Sequence, residues 1–223
     1  MDVVVLVTAH EEADRLPATL AALGQAFPGA RVVVADDAST DGTADVAAAA
    51  GAEVVRTERN LGKGGAATLG ARKVQDGLRG DEVLLLCDGD LGASAKELRG
   101  LVDTVQRGHA DLAIAVFARK VGGGLGIAVG AAHEAILDAT GLDLRAPISG
   151  QRAMRAGVLE HVLPFAPRFG METGMTIDAH RAGFRVAEVP LELEHRATGR
   201  TLRGFLHRFK QLRDIRAAAR ARR

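Results

Sequence analysis

Val83-Leu84-Leu85-Leu86-Cys87-Asp88-Gly89-Asp90 sets four aliphatic residues and a cysteine directly before two carboxylates one glycine apart. So short an unbroken apolar run predicts a strand buried on both faces, as in the middle of a parallel sheet. Open α/β sheets bind ligands at the carboxyl ends of their strands, so Asp88 and Asp90 stand where a site belongs. Two close carboxylates repel each other unless a cation lies beside them. Oxygen donors suit Mg²⁺ or Mn²⁺, which take one or two protein carboxylates and leave room for phosphate. Gly89 is expected to let the chain turn sharply and a ligand approach the backbone. Aspartate and glycine are also the commonest turn residues. Taken alone, the stretch is equally a solvated acidic turn.

Working outward, the same signature recurs. Val3 to Val7 is an apolar run ending in Thr8-Ala9-His10-Glu11-Glu12, followed by an amphipathic helix from about Ala13 to Leu23. Arg31 to Ala35 is a second run, ending in Asp36-Asp37-Ala38-Ser39-Thr40-Asp41-Gly42, whose turn chemistry also caps a helix over Thr43 to Ala50. Glu53 to Arg56 is a short third strand, and after the loop Asn60-Leu61-Gly62-Lys63-Gly64-Gly65 a helix covers Ala66 to about Gln75. Three strand–helix units feeding the Val83 strand predict a Rossmann-like α/β fold, a doubly wound and mostly parallel sheet with right-handed crossovers.

Downstream, Ser94 is expected to cap a helix ending near Gly108, and Asp111 to Ala115 to form a fifth strand. Gly122 to Gly126 reads as a flexible loop before an apolar helix, Ile127 to Thr140, and Ile148 to Arg155 as a short strand or turn. Met171 to Arg181 reads as a helix closing at Gly183. Arg185 to Val189 and Leu191 to His195 alternate apolar and polar residues about Pro190, which predicts an antiparallel or edge pair. No repeat or composition break demands a second domain, so residues 1–200 are expected to form one domain and 201–223 a terminal helix.

Composition narrows the classes. Aromatic residues are 3% of the 223, with no Trp or Tyr, so the core must be Ala, Val and Leu, which argues against an aromatic stacking platform. The formal charge is +1, so no global field points to nucleic acid. From Thr201 onward, however, eight Lys and Arg face one acid, Asp214, making this segment +7 and the remainder −6. Leu202, Phe205, Leu206, Phe209, Leu212 and Ile215 form one apolar stripe on that basic helix. Such a helix either lies in an anionic membrane interface or docks on its own domain. Cys87, the single cysteine, reads as a small core residue of a reducing compartment. No run approaches the ~20 apolar residues of a membrane span, and a strand pattern follows Met1-Asp2 at once. The expected location is cytoplasmic, or peripheral on the inner face of the cell membrane.

Three strand ends thus bring Glu11, Asp36 with Asp37, and Asp88 with Asp90 to one sheet edge. A carboxylate there can accept nucleobase N–H groups, and another can hold a metal on a diphosphate. The Lys63 loop precedes a helix N-terminus, where backbone N–H groups and an ammonium meet phosphate; it is equally a plain helix-entry loop. It is not a P-loop, since the spacing fails and no Ser or Thr follows Lys63.

These residues together resemble the family-2 inverting glycosyltransferases of A-type fold. Val-Thr-Ala-His-Glu-Glu resembles that family's Pro-x-Tyr-Asn-Glu opening, and Asp36-Asp37-Ala38-Ser39-Thr40-Asp41-Gly42-Thr43 its Asp-Asp-Gly-Ser-Thr-Asp-Gly-Thr. Asn60 to Gly64 and Asp88-Gly89-Asp90 match its next two motifs in order. The resemblance implies that Asp37, with Asp36, binds the nucleobase, while Thr8, Ala9, His10 and Glu11 line the nucleoside pocket. Asp88 would face the ribose and sugar and Asp90 the metal, with Lys63, Gly64 and Gly89 also among the residues expected to bind the nucleotide-sugar. Ala9 and His10 replace the usual Tyr-Asn.

The second half is similar to the polyprenyl-phosphate sugar synthases of the dolichyl-phosphate-mannose type. Ser149-Gly150-Gln151-Arg152-Ala153 resembles their Ser-Gly-Phe-Arg-Ala. Met171-Glu172, with Ala182 to Pro190, resembles their Glu-bearing helix and Gly-Tyr-Arg-Val segment. Glu194-His195-Arg196 through Gly199-Arg200-Thr201 resembles their His-Arg-x-x-Gly-x-Ser/Thr. Gly92 stands where some of them carry a metal-binding Gln. His195 could supply that ligand, as a histidine does in the related glucosyl-3-phosphoglycerate synthases; a strand-end histidine bonded to backbone is the other reading. The implied division is a donor half over 1–115 and an acceptor half over 116–200.

The expected activity is metal-dependent sugar transfer from a UDP- or GDP-sugar to a polyprenyl phosphate, with Mg²⁺ or Mn²⁺ as cofactor. The rival acceptor is a small soluble phosphorylated acid, and a non-catalytic sugar-nucleotide-binding module is the alternative of another class. Asp88, Asp90, Glu172 and Arg152 are the expected catalytic residues. Arg152, Arg196 and Arg200 are expected to hold an acceptor phosphate. Glu172 is the base if the acceptor is a hydroxyl, or an acid that positions the acceptor. No nucleic-acid partner is expected; a homodimer is compatible with the sequence.

Overall fold

A computed structural model describes residues 2–118, 126–194 and 202–222. His195, Arg196, Arg200 and most of the Gly122–Gly126 loop lie outside them. The chain alternates β1 (Val3–Ala9), α1 (Leu16–Ala26), β2 (Arg31–Asp36), α2 (Thr43–Ala49), β3 (Glu53–Arg56), α3 (Lys63–Gln75) and β4 (Val83–Asp88). A 3₁₀ segment (Gly92–Leu98) leads into α4 (Arg99–Gln106), then β5 (Leu112–Phe117), α5 (Gly126–Thr140) and β6 (Arg152–Arg155). The chain ends with α6 (Ala156–Val162), α7 (Met171–Arg181), β7 (Val186–Leu191) and α8 (Leu202–Arg220).

One seven-stranded sheet, ordered β3-β2-β1-β4-β6-β5-β7, runs through the domain. The β4 run sits at its centre and alternates faces. Leu84 and Leu86 pack with α3, α5, α6 and α7, whereas Val83, Leu85 and Cys87 pack with α1, the 3₁₀ segment and α4. Both faces are covered, so the strand has no polar position until Asp88. Residues from both proposed halves share these two clusters, so the halves are not separate cores.

Four features depart from the sequence expectations. β6 runs antiparallel between β4 and β5, pairing Leu86 with Arg152 and Ile114 with Arg152. Its amino end therefore lies at the carboxyl edge of the parallel strands. Val186–Leu191 lies at the sheet edge, as one of the two alternatives had it, but as a single strand parallel to β5 rather than as a pair. Pro190 is tolerated there because an edge strand has one side without a neighbour. Ser94 caps no helix; its hydroxyl donates to the Leu91 carbonyl and accepts the Glu194 N–H. α3 begins at Lys63 rather than Ala66, so the lysine is the first helical residue.

The carboxyl-terminal part of α8 docks on the domain. Ile215 is buried against Ala128 and Ala132 of α5. Arg222 forms an ion pair with Asp178 of α7 at 2.7 Å. Lys210, Arg213, Arg216 and Arg220 remain exposed. No helix among the described residues is long and apolar enough to cross a membrane.

Candidate active site

At the carboxyl end of β4 lies a cluster of three charges. Lys63 Nζ stands 2.6 Å from Asp88 Oδ1 and 3.0 Å from Glu172 Oε1. Lys63 arrives from the first turn of α3 and Glu172 from the first turn of α7. Side-chain exposure is 24% for Lys63, 29% for Asp88 and 6% for Glu172, so the cluster is half-covered but reachable from one side. Burial alone would lower the Lys63 pKa, but the two carboxylates outweigh it and hold the ammonium above the ordinary lysine value. Burial likewise disfavours the Asp88 carboxylate, and Lys63 reverses this and brings Asp88 below its ordinary value.

Asp88 is held on every side. Thr8 Oγ1 donates to Oδ1 at 3.0 Å, and Gln151 Nε2 donates to Oδ2 at 2.7 Å. The Asp88 N–H donates to Gln151 Oε1 at 3.0 Å. Gly150 passes so close that a Cβ there would lie 2.1 Å from Lys63 Nζ and 2.9 Å from Asp88 Oδ2. A Cβ on Gly64 would lie 2.0 Å from the Ala166 carbonyl oxygen, so the start of α3 has no space for a side chain there. Gly89 is buried, and a Cβ on it would meet neighbours only at 3.4 Å or beyond, without positive φ. The chain turns at Gly89 and Asp90 as expected, and the positive φ of this loop falls on Gly92, at +55°.

The two acids at the end of β2, Asp36 and Asp37, act inward. Asp37 accepts the N–H groups of Leu61 and Gly62 at 2.7 and 2.8 Å, so its carboxylate fixes the loop that delivers Lys63. Asp36 has no exposed surface; it accepts the Ser39 N–H at 3.2 Å, bonds the Ser39 hydroxyl, and faces Arg56 Nε at 3.3 Å. Glu11 accepts the Thr40 N–H at 2.7 Å, and its own N–H donates to Ser39 Oγ at 2.9 Å. The His10 ring reaches Asn60 Nδ2 at 3.3 Å, while Ala9 is buried. Thr8 and Lys63 meet at Asp88, while His10, Glu11 and Asp37 bond to Asn60, Thr40 and the Leu61–Gly62 backbone.

Arg152 is brought to the region but not to the cleft. It is fully buried, donating from Nε to the Ser149 carbonyl at 2.8 Å, from Nη1 to Thr176 Oγ1 at 2.9 Å, and from Nη2 to the Pro147 carbonyl at 3.2 Å. Burial pulls its guanidinium down to about 10 despite the charges of Glu172 and Glu188. Cys87 is a buried free thiol, its pKa raised chiefly by burial. Asp90 sits half-buried on the loop after β4. The described residues contain no group of three or more His, Cys, Asp and Glu able to hold a metal. Sequence reasoning missed the contact between Gln151 and Asp88, because it arises from the antiparallel insertion of β6.

This sheet, with its carboxylate-bearing central strand end, defines an α/β domain of the glycosyltransferase A type. Residues 4–163 match the model for glycosyl transferase family 2, and the chain belongs to that family. It is 32% identical over 217 residues to the undecaprenyl-phosphate mannosyltransferase of Micrococcus luteus, spanning 89% of this chain and 86% of that protein. The polyprenol monophosphomannose synthase of Mycolicibacterium smegmatis is 30% identical over 211 residues, spanning 87% of this chain and 78% of that protein. Among solved structures, glucosyl-3-phosphoglycerate synthase from Mycobacterium tuberculosis, in complex with Mn²⁺, UDP and glucosyl-3-phosphoglycerate, aligns with a TM-score of 0.76 at 26% identity. That alignment covers 99% of this chain and 79% of the other. The same enzyme in complex with Mg²⁺ and UDP gives 0.78 at 27% identity, covering 99% and 79%.

Proposed function

We propose that the chain transfers a sugar from a nucleoside diphosphate donor to a small, soluble, phosphorylated acceptor, with Mg²⁺ or Mn²⁺ as cofactor. The observation that carries the reading is the Lys63 ammonium held between Asp88 and Glu172 at the end of β4. A fixed cation there meets the charge that develops on a leaving diphosphate. The donor half, 1–115, supplies Lys63, Asp88 and the loops at Thr8 to Glu11 and Asp36 to Asp37; the acceptor half, 116–200, supplies Glu172. His10 and Glu11, with Asp37 behind them, are the groups assigned to the nucleoside.

Asp90 is the residue that would hold the metal, with His195 as a second ligand. When bound, the ion adds positive charge at the diphosphate. In the transfer, the bond from the anomeric carbon to the diphosphate oxygen breaks with its electron pair leaving on the diphosphate. A bond from the acceptor oxygen to the same carbon forms. Where that oxygen is a hydroxyl, its proton passes to the Glu172 carboxylate. Arg196 and Arg200 are the candidates for the acceptor phosphate. Arg152, which has no exposed surface, acts by fixing the Pro147–Gly150 backbone.

Two observations favour the soluble acceptor over the polyprenyl phosphate expected from the sequence. The mycobacterial synthase, in a complex with Mn²⁺, UDP-glucose and phosphoglyceric acid, aligns over 99% of this chain at a TM-score of 0.74 and 25% identity. The docking of Ile215 and Arg222 also holds the carboxyl-terminal end of the basic segment on the domain. The curated relatives support the polyprenyl phosphate as a second reading. The test is to supply UDP- and GDP-sugars with Mn²⁺ to the purified protein, with 3-phosphoglycerate, glycerol 3-phosphate or a polyprenyl phosphate in detergent, and to identify products by mass. A glycosylated small phosphate is expected. Transfer to the lipid alone, with sedimentation on anionic vesicles, would overturn this choice of acceptor.

A further inference from the structure

We propose that Gln151 is a positioning residue, whose carboxamide fixes the rotamer of Asp88 and through it the place of the Lys63 ammonium. The inference rests on the transferase reading above but is tested separately from it. Gln151 is 3% exposed and stands immediately before β6. Its backbone carbonyl accepts the Ala115 N–H at 3.0 Å, which anchors it to β5. Its side chain turns the other way, to β4. There the amide straddles one residue, accepting the Asp88 N–H at 3.0 Å and donating to Asp88 Oδ2 at 2.7 Å.

Both ends of the amide are matched to their partners. Only a side chain with an acceptor on one arm and a donor on the other satisfies an N–H and a carboxylate of the same residue at once. With Oδ2 held by Gln151, Oδ1 is left facing Lys63 and Thr8. The neighbouring positions serve the same end. A side chain at Gly150 would fall on the Lys63–Asp88 contact, and the buried Arg152 ties down the Ser149 and Pro147 carbonyls on the same turn. The segment 149–152 is therefore a cradle for the ion pair, and Gln151 is its contact with the carboxylate. An apolar side chain there could fill the volume but not hold the anion.

Two variants test this. Gln151→Met keeps the length and removes both hydrogen bonds; turnover should fall about 10–100-fold, the range seen when the partner that orients a working group is removed. The loss should lie in kcat, with KM for donor and acceptor little changed, because no substrate contact is removed. Gln151→Glu sets a second carboxylate beside Asp88, whose ion-pair partner Lys63 also contacts Glu172. Protonated, it again both accepts and donates, so its turnover relative to wild type should recover as the pH falls from 8 to 5.5. Its folded-state pKa should exceed that of an unfolded Glu. Its stability relative to wild type should therefore be lowest at high pH and improve as the pH falls through that raised value. Wild-type turnover on the acceptor panel judges the transferase reading, and the variant-to-wild-type ratios judge Gln151. If the wild type turns over no substrate, the pH dependence of unfolding judges Gln151 alone. A Met variant with unchanged kcat, or a Glu variant whose stability tracks wild type at every pH, would overturn the proposal.

Discussion

Lys63 shows how much one residue can be made to do by where its helix starts. Its ammonium neutralises Asp88 and a Glu172 side chain that is 6% exposed. Lys63→Met should cut turnover about 10²–10³-fold, the scale of losing one charge-stabilising donor. It should also lower stability by about 3 kcal/mol, because a covered carboxylate loses its partner. Adding Glu172→Gln to that variant should restore a good part of the stability and none of the turnover; urea titration beside a transfer assay separates the two. At this scale the sequence displayed Asp88, Asp90 and Lys63 as chemistry, since an acid pair after a buried strand and a lysine in a glycine loop are visible in one dimension. It could not display that Asp37 spends both oxygens on the N–H groups of Leu61 and Gly62. Nor could it show Gln151 or the burial of Arg152, since both depend on which strand lies beside β4.

At the scale of elements, the parallel strands β1 to β4 and their helices were legible because each strand is an apolar run closed by turn residues. β6 was not legible as an antiparallel insertion. Four residues carry no periodicity long enough to give direction, and pairing is decided by the neighbours. α8 was legible as basic and amphipathic, but what its apolar side meets was not. That docking gives a sharp prediction. A Cβ on Gly170 would lie 2.7 Å from Ala218 Cβ and 2.9 Å from the Asp214 carbonyl oxygen. Gly170→Ala should therefore push α8 outward and destabilise the protein by about 1–3 kcal/mol, as overpacking does. Hydrogen exchange should quicken in the last turns of α8 first, and Ala218→Gly should return only part of the loss, since the carbonyl contact remains.

Across the whole molecule, one carboxylate far from the site sets part of the acid limit of stability. Asp111 accepts the Arg185 N–H at 2.9 Å and its guanidinium at 3.0 Å, with Arg155 at 3.4 Å, joining the ends of β5, β6 and β7. The Arg185 hydrogen bonds outweigh burial and bring the Asp111 pKa down to about 2. A depressed carboxylate stabilises the fold above its unfolded pKa, and this is lost as the pH falls toward 2. Asp111→Asn should cost about 1–2 kcal/mol at pH 7, discounted for the solvent around Arg185. Thermal melts at several pH values should show that deficit closing below about pH 4. For function, the central claim is that the end of β4, with Lys63 and Asp90, is where a nucleoside diphosphate and a divalent cation meet. The direct measurement is calorimetric titration of UDP and GDP, with and without Mn²⁺, into the wild type and Asp90→Ala. Tighter nucleotide binding with Mn²⁺ in the wild type, and none of that gain in the variant, is the predicted result. An equal Mn²⁺ effect in both proteins would contradict the assignment.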